Sequence, residues 1–554
     1  MIMKRLFYKI SILVVLIASN ISLYAQNENN FKIGKNLDIF AHLLNELNIN
    51  YVDTLNVDDL VRTSIDEMLK KLDPYTFYIS EDEVDDFEVF TTGIYGGIGV
   101  DILSYNGMVI ASGVHEGFSG QRAGIKTGDI FIEVDGQNVE GKSSAEVSKL
   151  VKGKPGSKLT LKFKRLNVKE NVLINLTRET IKIDNVPYYS ILDKNIGYIY
   201  LSSFTTNAAK EVKNAFLELK NTTELKGLIL DLRGNGGGLL SEAVEIVNLF
   251  VEKGKEVVST KGKITDKNFT HRASSTPIDL EIPLVVLINS NSASASEIVA
   301  GAIQDLDRGI LIGQRSFGKG LVQNVVPLNY NSQVKITVAK YYIPSGRCIQ
   351  AIDYSLKDEN GNFTTIPDSL ISEFKTSKGR KVFDGGGIEP DIKIEPRILS
   401  KIAISLFSKL LIFDYAVKYN SEHKNIPSIK DFELTENDYQ DFIAYIQDKD
   451  YDYETQSEQS LKKLIENAKK ESYYEAIKDQ LEALEKSMIH NKETDLEKHK
   501  GEIIRLLEME IAAKYYYEKG RIQVSLKKNN ELEKAIETLK SVNQYQAILK
   551  PVEK

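Results

Sequence analysis

Two short apolar runs constrain this chain most. Each leads without a break into a turn of small residues and then into a helix-like stretch. The first is Leu228-Ile-Leu-Asp-Leu-Arg-Gly-Asn-Gly-Gly-Gly238, ahead of a helical pattern over 239–250. The second is Leu284–Ile288, then Asn289-Ser-Asn-Ser-Ala-Ser-Ala-Ser296, with a helix expected over 297–304. An all-apolar run of strand length implies burial on both faces, and strand-turn-helix repetition implies parallel strands under helices. Ile196–Leu201 and Ile310–Gly313 continue the alternation. The stretch from Ile196 to about Ile394 therefore reads as a mostly parallel sheet covered by helices.

The same two turns carry chemistry. Three consecutive glycines at a helix start expose backbone N–H groups where the helix dipole favours negative charge. That suits an oxyanion. It would also suit a phosphate, but the Gly-Lys-Ser/Thr ending of a nucleotide loop is absent. In the second turn a Ser hydroxyl near a helix start could be a nucleophile. Ser is equally a favoured N-cap, and composition leaves Ser292, Ser294 and Ser296 open. A third segment, Gly313-Gln-Arg-Ser-Phe-Gly-Lys-Gly-Leu-Val-Gln323, sets Lys319 between two glycines, which would leave room around it. If the backbone there is extended, Gln323 lies on the same side as Lys319. A Ser hydroxyl needs a base, and a desolvated Lys can serve as one. An exposed loop cation is the commoner fate of a Lys.

Upstream lies a β-like segment rich in glycine. Tyr95-Gly-Gly-Ile-Gly-Val100, Gly124-Ile-Lys-Thr-Gly-Asp-Ile-Phe-Ile-Glu-Val-Asp-Gly136, a helix-like 144–151 and a strand-like 158–165 follow in order. Together they resemble a PDZ domain over 93–178. Glycines let several N–H groups face one carboxylate, and an exposed strand edge can pair with an extended peptide. Gly97, Ile98 and Gly99 would then hold a chain's C-terminal carboxylate. Arg165, ending the last strand, is expected to be a solvated cation.

The remaining segments frame these. Lys4, Arg5 and Lys9 precede the apolar run Ile10–Ala18, with Ala25 before a polar stretch. That order describes a secretory signal peptide over 1–25, or a membrane anchor if uncleaved, and predicts a periplasmic or cell-envelope protein. Residues 31–92 read as helices interrupted by a turn at Asp73-Pro74. After Pro396 the chain is helical and charged, with Ile477, Leu481, Leu484 and Met488 on one face. Residues 396–554 could self-associate or bind an adaptor, although such helices more often pack on their own domain. With 71 Lys and Arg against 78 Asp and Glu, nothing suggests a nucleic-acid partner. A single cysteine, Cys348, excludes an intramolecular disulfide, and six His without an HExxH motif speak against a zinc protease.

Taken in order, Leu72-Asp-Pro-Tyr75, the PDZ-like segment, Asp231–Gly238, Ser292–Glu297, Phe317-Gly-Lys-Gly320, Tyr342-Ile-Pro-Ser-Gly-Arg347 and Gly387-Ile-Glu-Pro-Asp391 resemble the C-terminal processing (tail-specific) peptidases of family S41. The resemblance spans about 35–395. It implies a multidomain α+β chain: a helical N-terminal region, the PDZ domain, a crotonase-like or Clp-like β-α core over 179–395 with 31–92 packed on it, and a helical C-terminal domain. It implies a serine endopeptidase acting on proteins with free C-termini, without metal or other cofactor. By the same resemblance Ser294 is the nucleophile, Lys319 the base and Gln323 its assistant. Gly237 and Ala295 supply the oxyanion hole, with Gly236 or Gly238 as substitutes for the former. Cys348, next to the Ser-Gly-Arg run, is expected to have no catalytic part. A non-catalytic secreted PDZ scaffold on the same fold is the alternative.

Overall fold

The computed structural model describes residues 29–359, 361–488 and 492–550. The expected signal peptide lies outside them. Two compact units form: the described residues up to Ser80 with Val325–Ile336, and Glu81–Asn324 with Thr337–Lys550.

In the smaller unit, residues 29–50 are helical and Val57–Leu69 forms a second helix. Asn56 caps it by accepting from the Asp59 N–H. The expected turn is there: Asp73 Oδ1 accepts from the N–H groups of Tyr75 and Thr76 at 2.8 and 2.9 Å. A strand absent from the sequence expectation follows, Phe77–Ile79, antiparallel to Gln333–Lys335. Three residues are too few to show an alternating pattern.

In the larger unit, an antiparallel sheet takes the order Val100–Tyr105, Met108–Val114, Ile130–Val134, Lys158–Lys164, Val172–Thr177. Its core includes Phe131 and Phe163, with ring centroids 4.7 Å apart. The helix Ser144–Val151 starts in a Ser143/Glu146 capping box. Val100–Tyr105 is an edge strand, paired on one side only within this sheet. Arg165 is not solvated as expected. It grips buried Asp129 through Nε at 2.7 Å and a terminal nitrogen at 2.6 Å, because a buried carboxylate requires a counter-charge.

The second sheet runs Tyr188–Leu192, Ile196–Tyr200, Gly227–Asp231, Leu284–Ile288, Ile310–Gly313, Ile392–Lys393. All pairings after the first are parallel. Successive residues alternate between faces. Leu228, Leu230, Val286 and Ile288 pack toward the helices Ala208–Thr222, Leu240–Asn248 and Ala295–Asp305. Ile229, Val285, Leu287 and Ile312 pack against Leu532, Ala535, Leu539 and Tyr545. The helices Asn530–Lys540 and Val542–Leu549 thus cover the second face of this sheet. A Cβ on Gly227 would lie 2.9 Å from a Leu539 methyl. The end of the helical C-terminal region is therefore a layer of the β-α core, as a parallel sheet demands. Among the described residues no helix is long and apolar enough to cross a membrane.

Candidate active site

Parallel strands deliver their turns to one edge of the sheet, so the glycine turn after Asp231 and the serine turn after Ile288 meet there. Asn235 joins them. It is fully buried. Its Nδ2 donates to Leu201 O at 2.8 Å, and its own carbonyl accepts the Ala293 N–H at 3.0 Å and the Ser296 hydroxyl at 2.9 Å. Asn289 Oδ1 accepts the Gly234 N–H at 3.0 Å. At the base of the first turn, Asp231 holds Arg233 in a two-pronged ion pair and accepts from the Tyr198 hydroxyl at 2.8 Å.

The three serines left open by composition differ sharply in surroundings. Ser292, fully buried, donates to Leu232 O at 2.8 Å. Ser296, also fully buried, donates to Asn235 O. Both hydroxyls tie the two turns together. Ser294 alone of the three is partly exposed. It occupies the N-cap position of the helix Ala295–Asp305 with φ 56° and ψ −111°, a conformation that costs a non-glycine residue on the order of 1–3 kcal/mol. Its carbonyl accepts the N–H groups of Glu297 and Ile298 and the hydroxyl of buried Tyr341. Backbone strain held by this many bonds is a signature of functional turns.

Gly237 lies against Ser294. A Cβ added there would stand 2.9 Å from Ser294 Cβ and 3.0 Å from Ala295 N. Gly237 also adopts φ +100°, so two independent constraints demand glycine. Its N–H, however, donates to Asn235 Oδ1 at 2.9 Å. As a free oxyanion donor Gly237 therefore meets a competing acceptor, which a glycine count could not reveal. The N–H groups of Gly236, Gly238 and Ala295 have no acceptor among the described residues.

Glu297 brings in the third segment. Fully buried, its carboxylate accepts the Ser294 N–H at 2.8 Å, the Lys319 N–H at 2.9 Å, the Gly318 N–H at 2.6 Å and the Ser316 hydroxyl at 2.6 Å. Burial pushes this carboxyl up, and the four donors oppose that shift. One side chain thus fixes the backbones of both Ser294 and Lys319. The sequence contained the signal, a Glu three residues after a Ser, but that pattern reads as a helix cap. At the glycines beside Lys319 neighbouring chain packs close. A Cβ on Gly318 would lie 2.4 Å from Ala351 Cβ, and one on Gly320 would lie 2.9 Å from Gln350 N. They allow close backbone approach. The strand begins at Leu321, and Gln323 Nε2 donates to Thr337 Oγ1 at 3.2 Å.

At the far end of the helix Ala295–Asp305, Asp305 pairs with buried Arg347 at 2.8 Å, and Arg380 bridges Asp307 and Asp391. These pairs anchor the Ser-Gly-Arg run and the Gly387–Asp391 segment to the helix end. Cys348 beside them is half-buried, and burial pushes its thiol up, which lowers its reactivity. Among the described residues no group of three or more His, Cys, Asp or Glu is placed to hold a metal ion.

At the PDZ-like loop, Gly99 has φ +70°, and a Cβ there would meet Phe118 Cβ at 2.5 Å. The carbonyls of Ile98 and Gly99 accept from Gly120 and His115. The Ile98 and Gly99 N–H groups have no acceptor among the described residues. Gly97 pairs with Glu179.

Known proteins agree with this layout. Residues 195–357 match the model of peptidase family S41, residues 110–165 that of the PDZ domain, and residues 402–539 one described as "Probable PDZ-protease, C-terminal helical domain". The carboxy-terminal processing protease CtpA of Bacillus subtilis is 30% identical over 476 residues, covering 83% of this chain and 96% of that one. The chain belongs to the carboxy-terminal processing proteases of peptidase family S41. The carboxy-terminal-processing protease of Bartonella bacilliformis is 34% identical over 357 residues, covering 64% of this chain and 81% of its own. Among solved structures, the photosystem II D1 C-terminal processing protease matches with 27% identity and a TM-score of 0.35, over 65% of this chain and 93% of that one. This family member is thus a serine-type endopeptidase with a PDZ domain, and the scaffold alternative falls.

Proposed function

We propose that this protease works outside the cytoplasm, in the periplasm or cell envelope, and captures substrate proteins by their free C-termini before cutting with a Ser294–Lys319 pair. The basic start and apolar run at 4–18 support export. The partnerless Ile98 and Gly99 N–H groups beside an edge strand support capture of a carboxylate.

Ser294 carries the catalytic assignment through one observation. Of Ser292, Ser294 and Ser296 it is the one whose hydroxyl is not tied into the fold, and Glu297 ties its backbone to that of Lys319. In the proposed reaction neutral Lys319 takes the Ser294 proton while Oγ forms a bond to the scissile carbonyl carbon. The oxyanion is met by the Ala295 N–H and a glycine-turn N–H. Gly237 supplies the latter if Asn235 releases it; otherwise Gly236 or Gly238 does. The C–N bond then breaks, the Lys319 proton leaves with the amine, and an acyl-enzyme remains. Lys319 next takes a proton from water as that water attacks the ester carbon; the acyl C–O bond to Ser294 then breaks, Lys319 gives its proton to Ser294 Oγ, and the acid product leaves. Gln323 assists by orienting Lys319.

The test is direct. Ser294→Ala and Lys319→Ala should each abolish cleavage of an unfolded protein with an apolar C-terminus while leaving peptide binding intact. Undiminished proteolysis by the Ser294→Ala protein would refute the assignment. Amidating the substrate's C-terminus should weaken processing, and indifference to amidation would remove the capture step.

A further inference from the structure

A cavity of about 570 Å³ lies against the outer face of the PDZ edge strand. Asp101 and Leu103 line one wall, while their neighbours Val100 and Ile102 point into the PDZ core. The opposite wall comes from the helical region after 396, through Phe407, Leu410 and Phe413. A sharp turn makes this wall: Leu410 sits at φ 56° between the helices Lys401–Ser408 and Leu411–Glu422. Phe407 is 55% exposed although it is a large apolar side chain.

Several bonds hold this wall to the PDZ domain. The Tyr105 hydroxyl donates to Lys409 O at 3.0 Å, and Gln121 Nε2 donates to the Tyr517 hydroxyl at 3.0 Å. Lys519 pairs with Glu116 at 3.5 Å. A Cβ on Gly128 would come within 2.6 Å of a Val417 methyl.

A peptide added to Val100–Tyr105 with its carboxylate at the Ile98 and Gly99 N–H groups runs antiparallel to that strand. Its last residue then lies opposite Val100, and its side chains alternate between faces. The last and third-from-last follow Val100 and Ile102 toward the PDZ core. The second- and fourth-from-last share the face of Asp101 and Leu103 and enter the cavity.

The cavity's charges are largely paired among themselves. His115 bonds Asp101, Lys514 pairs with Glu510, and Arg521 pairs with Glu510 and Glu518. Lys182 and Lys519 pair with Glu211 and Glu116, and Asp184, without an ion pair among the described residues, adds a further acidic group to the wall. An incoming carboxylate would find no unengaged cation, whereas an apolar side chain would be covered by Leu103, Phe407 and Phe413. We infer that the C-terminal helical region completes a substrate subsite, selecting large apolar side chains at the second- and fourth-from-last positions of the captured C-terminus.

This inference rests on the carboxylate capture proposed above, and its test separates the two. Fluorescein-labelled heptapeptides of apolar sequence are titrated against full-length Ser294→Ala protein by polarisation. One carries a free carboxylate, one is amidated, and one has Asp at both positions. We expect the Asp peptide to bind roughly tenfold more weakly than the apolar one, the size of effect that burying an apolar side chain gives. Adding Phe407→Lys, at an exposed position, should shrink or reverse that ratio. A carboxylate-dependent affinity that ignores both the Asp residues and Phe407→Lys would overturn the subsite and leave capture standing. Equal affinity for the free and amidated peptides would overturn capture, and the subsite with it.

Discussion

The turn assembly at the sheet edge and the PDZ loop both expose backbone N–H groups that have no acceptor among the described residues, yet they are built in opposite ways. Around Ser294 the side chains of Asn235, Ser292, Ser296 and Glu297 are buried and hydrogen-bonded, and the backbone is held at φ 56°. Around Gly99 the carbonyls are engaged, the N–H groups of Ile98 and Gly99 are not, and the neighbouring strand edge is unpaired within its sheet. The difference matches the tasks proposed for them. Chemistry at a hydroxyl needs reacting groups fixed before substrate arrives, and bonds to buried groups fix them. Recognition by strand addition needs donors that only the ligand satisfies.

Glu297→Gln tests the closed region most severely. An amide can accept on one atom only, so at least two of the four donors would face an NH2 group. Each buried donor left without an acceptor costs about 1–3 kcal/mol. We expect kcat to fall by more than about a hundredfold, with a lowered Tm and peptide affinity retained, measured by peptide cleavage, thermal melts and polarisation. Near-normal kcat would mean that the carboxylate does not hold the two backbones in register.

Gly99→Val probes the open region and should do the reverse. A β-branched residue at φ +70° is strained, and its Cβ would displace Phe118. Affinity for a free-carboxylate peptide should drop at least about tenfold, while cleavage of an unfolded substrate at saturating concentration stays within a few-fold of wild type. Equal losses in binding and in saturated cleavage would mean that the two regions are not separable.

The same contrast explains what could be read from the amino acids. The four central strands of the parallel sheet, both turns and the glycine loop are legible because apolar runs and clustered glycines are local signals. The helical character of the last segment was legible too, but its partner was not. The apolar faces of Asn530–Lys540 and Val542–Leu549 say that something is buried, and only the fold shows that it is Ile229, Val285 and Leu287. The choice among Ser292, Ser294 and Ser296 depends on Leu232 O and Asn235 O, each about 60 residues away in sequence. Arg165 departs from its expected solvated state for the same reason. Its partner, Asp129, is 36 residues distant, and nothing in the run around either residue marks the pair.

A smaller effect sharpens the comparison from the recognition side, where charge is adjustable because it is half-exposed. His115 Nε2 lies 3.0 Å from Asp101 Oδ1, and this hydrogen bond, against the opposing effect of burial, raises the His115 pKa above its ordinary value. A raised folded-state pKa means that the pair stabilises the folded protein below about pH 6.5, the unfolded value. That contribution is lost as pH rises through the folded pKa. Asp101→Asn removes the acceptor charge, so the His115 titration, followed by NMR, should move down. Because Asp101 is largely exposed, solvent screening keeps the stability loss within about 1 kcal/mol. The Tm difference between wild type and variant should therefore be small at pH 6 and vanish by pH 9. A difference that grows with pH would mean that Asp101 acts through something other than protonated His115.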